Sequence, residues 1–251
     1  GLVQLYYFVV VFRGLEMLKG PENPRHRFLY WLGVVFFWLF FAFMFQNAMS
    51  YPMASYDGRA IWNFKGKILF EEKTPYTEAF IDPLRVHYHR DYPLMVPFAE
   101  FGMYEFLGEV NEDLVRFFFS SLMLMFTLFM FSVIRSATGR TTALAFAVVL
   151  AGMPFRPNWM VTEAGGPNSG EADIPLAFFA KVSIISYLRW WKGGKFSHLL
   201  LGGIFAAFCL MTKKEGLVIF VLLLCVNGVQ WLLGNVENRK EAFKKLVLAN
   251  V

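Results

Sequence analysis

Long apolar runs separated by short polar breaks dominate the chain, at about 2–12, 28–48, 114–134, 141–160, 173–188, 198–212 and 216–234. A helix of roughly 20 apolar residues spans the hydrocarbon layer of a bilayer, and in lipid the backbone must satisfy its own hydrogen bonds. The pattern therefore predicts about seven membrane segments in an all-α, polytopic transmembrane helical bundle. The runs at 173–188 and 198–212 are the shortest of the complete segments. The chain opens inside an apolar run at Gly1 and turns apolar again over 246–251, so it reads as a fragment of a longer protein.

One interruption differs from the rest. The segment 49–113 is far longer than a connector needs, and loops of that length usually carry function. Within it Ile61, Trp62, Phe64, Ile68 and Leu69 recur at helical spacing against Arg59, Lys65, Lys67 and Glu71. That predicts an amphipathic helix lying along the membrane surface. Pro75, Pro83, Pro93 and Pro97 divide the remainder into turns and short helices. The chain thus reads as a single transmembrane domain over 1–251, with 49–113 as an outer catalytic loop.

Composition agrees, since 57% hydrophobic against 17% charged residues is more apolar surface than a soluble domain of 251 residues can bury. The formal charge of +5 is dispersed at the ends of apolar runs and forms no basic stripe, which argues against nucleic acid as a partner. Arg13, Lys19, Arg25 and Arg27, then Arg135 and Arg140, then Arg189, Lys192 and Lys195, then Arg239, Lys240, Lys244 and Lys245 occupy alternate connections, which the positive-inside rule assigns to the cytoplasm. The outer side then receives 49–113, the Gly-rich stretch 155–172 and the tight connection 213–215. Cys209 and Cys225 each lie inside an apolar run and read as small buried residues. No P-loop, GxGxxG, nucleophile elbow or HExxH occurs, so the energy for any reaction has to come from its substrate.

The candidate chemistry collects on the predicted outer side. Asp57, ahead of the surface helix, is either its N-cap or a general base near the low-dielectric boundary. Asp173 opens an apolar helix with Pro175 in its first turn. It either caps that helix or binds acceptor hydroxyls or a divalent ion. Lys213, Lys214 and Glu215 interrupt two apolar runs, as interface anchors or as cations for a phosphate. His87 and His89, near Asp91, suggest a metal pair, but two histidines on an irregular segment more often bond locally. Arg90 and Tyr92 suit a sugar or phosphate surface as well as a turn.

These pieces together resemble the GT-C superfamily of polytopic glycosyltransferases, in particular bacterial relatives of the dolichyl-phosphate-mannose protein mannosyltransferases and the aminoarabinose transferases. The resemblance rests on Tyr56-Asp57-Gly58-Arg59 with the aromatic and basic helix after it, on His89-Arg90-Asp91-Tyr92-Pro93-Leu94, and on Glu171-Ala172-Asp173-Ile174-Pro175 followed by Thr212-Lys213-Lys214-Glu215-Gly216. The family often has two adjacent acids where Asp57 is followed by Gly58. By this resemblance the donor is a polyprenyl-phosphate sugar and the acceptor a hydroxyl of a glycan, lipid or protein. Asp57 is the base, and Lys213 or Lys214, with Arg59 or Arg90, stabilises the departing phosphate. Asp173 orients the acceptor or holds a metal. The enzyme belongs in a bacterial inner membrane with its site facing the periplasm. A transporter or flippase is the competing class, but its charges belong near the bilayer midplane. A polymerase or ligase of lipid-linked glycans would rely more on outer-loop arginines.

Overall fold

The computed structural model describes residues 17, 19, 27–51, 53, 55–81, 89, 91–153, 166, 168–193 and 195–233. The expected segment 2–12, the 154–160 end of the segment 141–160, His87, Arg90 and the basic positions after 233 lie outside them. Every regular element among the described residues is helical. They are α1 (Arg27–Ser50), a π-helical turn (Gly58–Asn63), α2 (Phe64–Glu72), α3 (Glu78–Ile81), α4 (Met95–Leu107), a 3-10 turn (Leu114–Arg116), α5 (Phe117–Thr138), α6 (Arg140–Gly152), α7 (Asp173–Trp191), α8 (Phe196–Thr212) and α9 (Lys214–Leu233). Among the described residues two stretches, Arg27–Ser50 and Leu114–Thr138, are long and apolar enough to cross a membrane, and Arg140–Gly152 and Phe196–Thr212 are shorter apolar helices.

The chain divides into two compact units. The first comprises residues 1–90 and 96–175, the second 91–95 and 176–251. In the first, α1 buries Tyr30, Val34, Phe37, Phe41, Met44 and Ala48, the three- and four-residue spacing of one helical stripe. Its other side exposes Phe28, Leu29, Val35 and Leu39, so it is apolar all round, as a helix surrounded by lipid requires. The buried stripe meets Leu124, Leu128 and Phe131 of α5 and Ala143, Leu144, Ala147 and Ala151 of α6. The alanines let the backbones approach closely, and the absence of a side chain at Gly33 admits Leu144, whose Cδ2 lies 3.1 Å from where a Cβ would stand.

The described part of the segment 49–113 is a packed layer rather than a lone surface helix. Ile61, Trp62, Ile68 and Leu69 are buried as the periodicity predicts, but Phe64 is 44% exposed and Lys65 fully buried, the reverse of the expected faces. Lys65 stands three or four residues from each of Ile61, Trp62, Ile68 and Leu69, so it falls on their buried face, and its Nζ donates to the carbonyl of His89 at 2.7 Å. Pro97 does not break the chain, because it falls in the first turn of α4 where no backbone donor is required. Tyr104 of α4 packs with Met53 and Val115 and receives a hydrogen bond from Asn63 Nδ2 at 2.7 Å.

In the second unit α8 and α9 form a hairpin, with α7 alongside. Phe178 and Phe179 pack edge-on and tilted against Phe205, and Phe179 also meets Phe208. Ser183 Oγ donates to the Gly202 carbonyl at 2.8 Å, and Trp191 Nε1 to Asn227 Oδ1 at 3.1 Å. The hairpin turn is extended at Lys213 and closes with Gly216 N–H donating to the Lys213 carbonyl at 2.9 Å. A Cβ on Gly216 would stand 1.7 Å from the Cys209 carbonyl oxygen. Cys209 is buried as expected, whereas Cys225 lies on the exposed flank of α9.

Candidate active site

A polar seam fastens the stretch 168–172 to the ends of α1 and α5. Asn168 Nδ2 donates to the Met44 carbonyl at 2.8 Å and to Asn47 Oδ1 at 3.3 Å, while Ser120 Oγ donates to Asn168 Oδ1 at 2.5 Å. Arg116, fully buried, bonds through Nη2 to the carbonyls of Ala48 and Tyr51 and to Asp113, so it satisfies carbonyls left open where α1 ends.

This seam brings the two candidate acids' segments together. Ser55 Oγ donates to Glu171 Oε1 and accepts the N–H of Gly58 at 3.2 Å, and Glu171 N–H donates to Ser169 Oγ at 3.2 Å. Gly58 lies so close to the loop that a Cβ there would stand 1.9 Å from the Ser169 carbonyl oxygen. Gly170, at φ +77°, takes a left-handed conformation in which a Cβ would meet Met53 at 2.6 Å. Asp57 directly precedes Gly58, and Asp173 follows Glu171 by two residues, so the contact holds both acidic segments in the first unit. Both aspartates are exposed, while Ser55 and Glu171 behind them are buried. Asp57 makes no capping hydrogen bond; Ser55 receives the first turn's N–H instead. Arg59, on the π-helical turn, is exposed.

The second unit gathers a different group. Lys214 Nζ forms an ion pair with Asp91 and lies 5.4 Å from the centre of the Tyr92 ring, and Lys213 Nζ is 3.8 Å from Glu215. The hydrogen bond from Lys214 to Asp91 holds the ammonium above the ordinary lysine range, so it carries its charge at neutral pH. His89 is exposed, at φ 51°, and is engaged through its carbonyl by Lys65. Among the described residues no three His, Cys, Asp or Glu side chains come together as a metal site.

Sequence reasoning missed Ser55, Glu171 and Asp91 as members of these groups. Glu171 and Asp91 stand inside recognisable motifs, but their partners, Ser55 and Lys214, are distant in the chain. No local pattern reveals such a pairing. It also missed Glu100 of α4, a fully buried acid whose oxygens make no hydrogen bond, beside Gly66 of α2, where a Cβ would stand 2.9 Å from its Oε2. Burial raises that carboxyl well above the ordinary 4.5.

An exposed carboxylate on a turn braced from behind can accept a proton from a bound hydroxyl. An ammonium oriented by a carboxylate and an aromatic ring can meet an anion. Comparison with known proteins bears on which reaction these groups serve. The model of the dolichyl-phosphate-mannose-protein mannosyltransferase family matches residues 91–249. That match begins at Asp91 and takes in Asp173 and the turn 213–215, and Asp57 precedes it. No curated protein matches the chain. No solved structure matches it either.

Proposed function

Because the chain belongs to the dolichyl-phosphate-mannose-protein mannosyltransferase family, we propose that it moves a sugar from a polyprenyl-phosphate donor to an acceptor hydroxyl at the outer membrane face. It is a membrane glycosyltransferase by family. The finer reading is a single inverting displacement. Asp57 takes the proton of the acceptor hydroxyl, and that oxygen bonds to the anomeric carbon. The carbon–oxygen bond to phosphate breaks, and its electron pair leaves with the polyprenyl phosphate. Lys213 or Lys214, with Arg59 or Arg90, offsets the charge on the departing phosphate, an effect typically of about 3 kcal/mol per contact. Asp173 orients the acceptor hydroxyl or holds a divalent ion. In the same reading the chain crosses a bacterial inner membrane several times and presents this site to the periplasm.

Family membership carries the proposal, and the exposure of Asp57 on a turn braced by buried groups supports the role given to it. Vesicles holding the full-length protein are expected to transfer labelled sugar from a polyprenyl-phosphate donor. Asp57→Asn is expected to lower the rate by about 10²–10⁴-fold, the usual worth of a general base, with insertion intact. Full activity in that variant would overturn the base assignment.

A further inference from the structure

We propose that Ser55 and Glu171 form a positioning pair that aims the Asp57 carboxylate, an inference that rests on Asp57 being the base. Asp57 has no capping hydrogen bond and an exposed side chain, so its direction is set by the backbone of its turn. That backbone is held from behind. The Ser55 hydroxyl has one proton, and it is committed to Glu171 Oε1, which leaves an oxygen lone pair facing the Gly58 N–H. Without an acceptor at Glu171 the hydroxyl is free to rotate, and the oxygen that receives the amide next to Asp57 is no longer held in place.

Three further observations favour this role over simple packing. Glu171 is an acid with 8% of its surface exposed, a costly placement unless its charge is used by hydrogen bonds. Gly58 stacks directly on the Ser169 carbonyl, so a shift of the loop bearing Glu171 moves the residue after Asp57. The loop itself is anchored through Asn168 to α1 and Ser120, which makes it a fixed reference for that turn. Ser55 and Glu171 are both buried while Asp57 is exposed, so they act through Asp57 rather than on the substrate.

The test uses the full-length protein in vesicles, with donor-dependent transfer measured for Ser55→Ala, Glu171→Ala, their double variant, Glu171→Gln and Asp57→Asn. Misplacing a reacting group by about 1 Å costs about a hundredfold, so each alanine variant is expected to lower kcat by about tenfold to a hundredfold. Donor KM stays within about twofold, since binding is not the step affected. The double variant is expected to match either single one, because both remove the same connection. Glu171→Gln keeps an acceptor oxygen and is expected to recover most of the rate. Additive losses, a loss confined to KM, or Glu171→Gln as inactive as Glu171→Ala would overturn the pair. Should Glu171→Ala fail to accumulate in membranes, Ser55→Ala decides, and an unaffected rate there overturns the proposal. Asp57→Asn separates the two levels. If it is fully active, the base assignment and this inference fall together; if it is inactive while Ser55→Ala and Glu171→Ala are silent, only the positioning pair falls.

Discussion

At Glu100 a carboxyl group sits wholly out of solvent with neither oxygen hydrogen-bonded. Burial is the main cause of its raised pKa, and the positive charge of Lys67 offsets it only in part. The folded chain therefore holds this proton at pH values where the unfolded chain, near 4.5, has released it. Stability is fully present below that value and is lost as pH rises toward the raised one, by about 1.4 kcal/mol for each pH unit in the window. The melting temperature is expected to fall with pH above about 4.5, and Glu100→Gln, which cannot titrate, to flatten that fall. Parallel curves for the two proteins would refute it. Single residues were unevenly legible. Asp57, Asp173 and the cations at 213–214 stood out as candidates because charges beside apolar runs are conspicuous. Glu100 did not, since it occupies a helix whose other faces are ordinary and its burial depends on the approach of Gly66 from another element.

Helices were legible where apolar runs were long. The run 28–48 became Arg27–Ser50, and 216–234 became Lys214–Leu233, because uninterrupted apolar sequence leaves the backbone no better arrangement. The faces of 58–72 were not legible, because a lysine reads as solvent-facing, whereas Lys65 stands at three- and four-residue spacing from Ile61, Trp62, Ile68 and Leu69 and shares their buried stripe. The α8–α9 hairpin makes an equally local demand at Gly216, where any Cβ would collide with backbone. Gly216→Ala is expected to lower stability by about 1–3 kcal/mol, the usual cost of overpacking. In the same hairpin Gly203→Ala meets only Tyr187 Oη, at 3.8 Å, and is expected to be tolerated. Thermal unfolding of the two variants in detergent checks the contrast, and equal midpoints would remove the backbone contact as its explanation.

For the molecule as a whole, the clustering of Lys and Arg in alternate connections predicts sidedness. In a background without Cys209 and Cys225, a membrane-impermeant maleimide is expected to label Tyr76→Cys in the outer layer of intact cells. Thr138→Cys, on the exposed connection between Arg135 and Arg140, is expected to react only after permeabilisation. The reverse pattern would invert the topology. The division into two units was not visible in the sequence, because the second takes a piece, 91–95, from within the segment 49–113 and unites it with 176–251. That piece has a consequence for synthesis. Asp91 leaves the ribosome long before Lys214, with α4, α5, α6, α7 and α8 made in between, so the acid waits for that cation while most of the chain is still to come. The Asp91–Lys214 connection is thereby a late event in biogenesis, and a nascent chain arrested ahead of α9 has the motif but not the partner that orders it.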